Sequence, residues 1–119
     1  MARLKSKGSS TLLVKDENDT PLPLMPWGSV HNLTPTEVTA ARNAAPISAD
    51  CGVVSIVAIG GAAHFKQGGA SVTATVTDSY LPEGEYHELP VFEGDDWSYV
   101  SVISATGAGT IAAQIVERQ

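Results

Sequence analysis

The chain has 119 residues, 43% of them hydrophobic, with 13 acidic against 7 basic side chains and a formal charge of −6. That composition can bury one modest core and is too apolar for a disordered chain, while no apolar run approaches the roughly 20 residues that span a bilayer. The single cysteine, Cys51, excludes an internal disulfide framework and suits a reducing compartment.

The charge is unevenly spread. Arg3, Lys5, Lys7 and Lys15 put +4 into the first 15 residues, and the other 104 carry 3 bases and 13 acids, a balance of −10. A basic arm on an acidic body is expected to dock onto something negative. Four charges without interleaved aromatics do not make a nucleic-acid patch, so nucleic acid is not an expected partner. MARLKSKGSS lacks the apolar stretch of a secretory leader, and no membrane association is expected.

Residues 1–33 read as an extended N-terminal arm. Thr11–Lys15 supplies one short β run, closed by the turn-forming Asp16-Glu17-Asn18-Asp19. Pro21, Pro23 and Pro26 then alternate with apolar residues, which enforces an extended, irregular backbone. Leu22, Leu24, Met25 and Trp27 are its candidate partner-binding residues, since such side chains need a surface to pack on.

Residues 34–46 read as one short helix. Thr34 stands at the N-cap, Pro35 at the first helical position and Glu37 three residues after Thr34, a capping-box pattern, with four alanines following and Pro46 as a stop. Arg42 is expected on its exposed face.

Residues 47–119 read as a β-sandwich body. Gly52–Ile59 is apolar on both faces and fits a central strand; Ala62–Lys66, Val72–Thr77, Tyr86–Val91, Trp97–Ser104 and Thr110–Val116 complete about six short strands with glycine-marked turns between them. Thr106-Gly107-Ala108-Gly109 is expected to turn a hairpin. The fold class is therefore all-β: a small antiparallel sandwich or jelly-roll-like domain carrying the arm and the helix.

No residue set carries catalysis, so no enzymatic activity and no cofactor are expected. His31, His64 and His87 have no partner at a metal-ligand spacing. His87 lies among Glu83, Glu85 and Glu88, which reads as a solvated edge. Asp95 and Asp96 are adjacent loop acids whose side chains diverge. Cys51 has no histidine near it in sequence to act as a base. Gly60-Gly61 and Gly68-Gly69 fit no phosphate-binding spacing. Trp97 and Tyr99, two apart, form a candidate aromatic surface that a sugar ring could stack on.

Val72-Thr73-Ala74-Thr75, Asp78-Ser79-Tyr80-Leu81-Pro82-Glu83-Gly84, Glu85-Tyr86, Val100-Ser101-Val102-Ile103 and Ala108-Gly109-Thr110-Ile111 through Val116-Glu117 form a series. Together, over Val54–Glu117, they resemble a group of small tailed-bacteriophage virion proteins. The shared elements are strands and turns, not catalytic residues. The resemblance implies a head decoration (cement) protein, assembled in the host cytoplasm and located in the virion. It further implies self-association, most simply as a homotrimer, and the major capsid protein as partner. The alternative is a tail- or fibre-associated module that binds a glycan through Trp97 and Tyr99.

Overall fold

The computed structural model describes residues 14–15, 21–22 and 27–118, and among these the regular structure is almost entirely β. Among the described residues, strands β1 (Val14–Lys15) and β2 (Pro21–Leu22) pair only with each other. The body holds eight more: β3 (Trp27–Leu33), β4 (Ala41–Arg42), β5 (Val53–Ile59), β6 (Ala63–Gly68), β7 (Ser79–Leu81), β8 (His87–Pro90), β9 (Tyr99–Ser104) and β10 (Ala112–Arg118). Leu24 and Met25 lie outside the described residues, as do the side chains of Leu22 and Trp27.

The eight strands form two four-stranded antiparallel sheets, ordered β3-β10-β5-β8 and β4-β9-β6-β7. The chain passes between the sheets at every connection except β6–β7. Two antiparallel four-stranded sheets exchanging strands in this way make a jelly roll. The expected all-β sandwich is thus the observed fold.

Alternation decides what each face does. Val54, Ile56 and Ala58 of β5 meet Ala113 and Ile115 of β10, Leu33 of β3, and Val100, Val102, Ala63 and Leu81 of the opposite sheet in one buried cluster. Each fully buried aliphatic side chain contributes roughly 1.5–3 kcal/mol, so this cluster is the main source of cohesion. Gly52–Ile59, expected to be central, is: β5 lies between β10 and β8, with every residue but Ile59 buried.

Residues 34–46 are not helical. Helix formation would commit the carbonyls of Pro35 and Thr36 to later amides of the same segment, but here they accept from Ile111 N (3.1 Å) and Ser104 N (3.2 Å). The Thr36 hydroxyl accepts from Val38 N and Thr39 N at 3.3 and 3.0 Å, forming a local turn two residues beyond the expected cap. Glu37, instead of closing a capping box, accepts from Gly107 N and Gly109 N, both at 2.9 Å. Three turns of isolated helix have little stability of their own, and these tertiary bonds win. Ala41 and Arg42 join β9 as β4 instead, with the Arg42 guanidinium 4.5 Å from the centre of the Tyr99 ring. The described part of the expected arm also differs, since residues 27–33 are β3 and pair along β10.

Two further expectations are corrected. Residues 72–77 form a looped cover on the outer face of the second sheet, where Ala74 N donates to Ser101 Oγ at 2.9 Å and is buried. The Asp78 carboxylate accepts from Thr75 N at 2.7 Å and curls the segment before it can extend. Residues 105–111 are not a hairpin turn either, because β9 and β10 belong to different sheets. Gly107 (φ 88) and Gly109 (φ 72) take the left-handed conformations this crossing needs.

Candidate interaction surface

The residues singled out for chemistry are used by the fold itself. His31 Nε2 lies 2.8 Å from Glu117 Oε2, on the inner side of the β3/β10 pair, and Glu117 is buried. His64 Nδ1 donates to the Asp78 carbonyl at 3.0 Å, and its ring meets Tyr80 edge-on. His87 meets Phe65 edge-on across the two sheets. Cys51 is buried, and its thiol donates to the Val53 carbonyl at 3.0 Å. Burial pushes that thiol above its ordinary range, the opposite of what an activated nucleophile needs.

Glu83, Glu85, Glu88, Glu93, Asp95 and Asp96 are all exposed, and among the described residues no group of three His, Cys, Asp or Glu side chains converges as a metal site would require. Asp95 and Asp96 open a short 3-10 turn, Asp95–Trp97, ahead of β9.

Trp97 and Tyr99 serve different layers. Trp97 belongs to that turn; it packs against the core cluster and meets Phe92 edge-on, with ring centres 4.8 Å apart. Tyr99 precedes the core residue Val100 on β9, so it faces outward, where Arg42 covers its ring. Sequence spacing put the pair on one strand face, but a strand that begins at Tyr99 removes Trp97 from that alternation.

A residue missed by sequence reasoning holds the margin of the second sheet. Asn43 is wholly buried. Its Nδ2 donates to the carbonyls of Ala45 (2.7 Å) and Ser98 (3.1 Å), and its Oδ1 accepts from Val100 N (2.9 Å). β4 is only two residues long, and the Asn43 side chain continues its pairing along β9. A lone asparagine in an alanine-rich stretch gives no sequence signal of this.

The surface best suited to a partner is the β3 margin of the first sheet. Among the described residues β3 pairs with β10 alone, which leaves one row of its backbone donors and acceptors unused within the body. Seven residues long, with no Lys or Pro to blunt it and with Val30 exposed at 47%, it has the makings of a strand-pairing edge. It is also the strand that the proline-rich segment leads into. Charge adds to this picture: residues 27–118 hold ten acids and three bases, opposite in sign to the first 15 residues. Together these features allow docking through strand addition, apolar anchors and charge.

Comparison with protein-family models, with curated proteins and with solved structures found no match for this chain.

Proposed function

We propose that this chain is a structural protein of a tailed-bacteriophage virion, a head decoration protein that binds the shell through its N-terminal arm and through contacts with copies of itself. The observation that carries the reading is the junction of arm and body. The segment bearing Leu22, Leu24, Met25 and Trp27 runs directly into β3, an edge strand of an acidic jelly-roll body. A cement protein needs a rigid body, a segment that reaches its neighbours and an edge for self-association; the open β3 edge and the basic, proline-rich N-terminal sequence are what support the reading.

The resemblance over Val54–Glu117 supports it, and the structure gives its Leu-Pro-x-Gly element a physical reason. Leu81 is buried in the core, and Gly84, at φ 77, donates its N–H to the Ala58 carbonyl at 2.8 Å. That turn carries the chain from the second sheet back to the first. It is a fold element, so it supports a family likeness without assigning any chemistry.

The test is mass by light scattering, first on the protein alone and then on tailed-phage shells incubated with it. A stable trimer that raises the shells' resistance to heat fits the proposal; a monomer with no effect on shells removes it. The alternative, glycan recognition through Trp97 and Tyr99, would require both rings to be freed from Phe92 and Arg42. A glycan-array screen of wild type against Trp97→Ala separates the two readings.

A further inference from the structure

The first sheet ends in two strands that fit one another. β3 and β8 are its two margins, and among the described residues each is paired on one side alone, β3 with β10 and β8 with β5. All three pairings in the order β3-β10-β5-β8 are antiparallel, so β3 and β8 run in opposite directions. A second copy set beside the first, its β3 against the first copy's β8, therefore continues the antiparallel order without a reversal.

Length and facing agree as well. The register shift between Val116 and Arg118 interrupts β3 near Gly28 and Ser29 and leaves Val30–Leu33 as its regular part, a match for the 4 residues of β8. Full overlap sets Val30 opposite Pro90, His31 opposite Leu89, Asn32 opposite Glu88 and Leu33 opposite His87. Every pair then shares a face. Val30 and Asn32 are paired with Val116 and Gln114, and Glu88 with Ser55, all on the outer side, whereas Leu33 and Leu89 belong to the core side. A slip of one residue would set outer side chains against inner ones.

Charge selects the same arrangement. The 34–40 segment carries the chain from β3 straight to β4, held by the bonds from Ile111 N and Ser104 N, so these two edge strands flank one side of the sandwich. β7 and β8, the opposite margins of the two sheets, flank the other. Seven of the ten acids in residues 27–118 lie from Asp78 to Asp96, around β7 and β8, with no Lys or Arg among them. On the β4 margin, Arg42 Nη1 donates to the Asn43 carbonyl at 2.7 Å and its guanidinium rests on the Tyr99 ring. No carboxylate pairs with Arg42 among the described residues. A guanidinium fixed in this way keeps further N–H groups for an acidic partner. Placing β8 against β8 would instead oppose acid to acid.

We infer that this chain associates head to tail, the β3/β4 side of one copy docking on the β7/β8 side of the next, with β3 pairing to β8. This rests on the self-association in the decoration reading and names its surfaces. Such a heterologous contact builds a ring where its rotation closes.

Cross-linking tests it without shells. With Cys51→Ala removing the native thiol, Asn32→Cys and Glu88→Cys would be made as separate full-length proteins and mixed under mild oxidation. Directly opposed side chains on adjacent antiparallel strands come within disulfide reach. The mixture should give several-fold more linked pair than either protein alone, and Arg42→Glu on the Asn32→Cys protein should lower that yield several-fold, less so at high salt. Val30→Cys with Pro90→Cys, the neighbouring outer pair, guards against Glu88 itself being needed for the contact. Linkage of Asn32→Cys protein to itself, as efficient as in the mixture, would put β3 against β3 and overturn the inference. A wild-type protein that exceeds the mass of one chain in light scattering, while neither mixture links, overturns the inference alone. A wild-type protein with the mass of one chain overturns it together with the self-association it rests on.

Discussion

Replacing Asn43 by alanine removes three hydrogen bonds from a side chain that has no exposed surface. Their losses are unequal. Ala45 is exposed, so its carbonyl can turn to water, and the Ser98 carbonyl keeps its bond from Ile47 N at 2.9 Å. Val100 N is left buried and without its acceptor, a loss of roughly 1–3 kcal/mol. The small cavity and the loosened 43–47 segment add about 1 kcal/mol. The expected total is ~2–4 kcal/mol, a large share of the stability of a domain this size. Urea unfolding followed by tryptophan fluorescence reads it as a lower midpoint at unchanged slope. Asn43→Asp keeps the acceptor but points a carboxylate at two carbonyls, and should be at least as damaging at neutral pH. If Asn43→Ala lies within about 0.5 kcal/mol of wild type, the side chain does not complete the β9 ladder.

Other expectations follow from single contacts. A Cβ on Gly61 would stand 2.8 Å from Ile111 Cγ2 and 2.9 Å from Ala108 Cβ, where the two inter-sheet crossings meet, so Gly61→Ala should lower stability by roughly 1–3 kcal/mol in thermal unfolding. Glu37→Ala should release the amides of Gly107 and Gly109 to faster hydrogen exchange, leaving Val102 and Ile115 in the core protected. Cys51 has a raised folded-state pKa, so its contribution to stability is complete below the ordinary thiol pKa and declines as pH rises from there through the folded value. The native thiol should accordingly resist alkylation at neutral pH and react fully after unfolding; prompt reaction in the folded state would contradict its burial.

What the sequence made legible was the alternation that core strands require. β5 and β9 could be located because Val, Ile and Tyr recur there between glycine- or acid-marked turns. Pairing across sheets was less legible. Gly60-Gly61 and Thr106–Gly109 look like hairpin turns, and only the register shows that each carries the chain from one sheet to the other. The Thr34–Ala45 pattern favours a helix locally, but Pro35, Thr36, Glu37 and Asn43 are all spent on partners more than fifty residues away, a commitment that no local window contains. The Thr-rich 72–77 segment failed for a similar reason: β-branched residues suit a strand, yet Asp78 and Ser101 Oγ offer its amides nearer partners.

The candidate surface was legible only from one side. Leu22, Leu24, Met25 and Trp27 mark in sequence an apolar run leading into β3, whereas the open β3 edge is visible only from the strand register. The histidines, the acid pair and the cysteine attracted attention by residue type, and the structure ties each histidine and the cysteine to a fold contact.

Co-sedimentation tests the central claim most directly. Tailed-phage shells lacking the protein would be incubated with the full chain and with a variant beginning at Trp27, which retains β3 and every element of the body. The expected result is that the full chain pellets with the shells and the shortened one stays in solution while keeping its β-rich circular dichroism. Equal pelleting of both would mean that the arm is not the attachment device. A full chain that never pellets would contradict the decoration role itself.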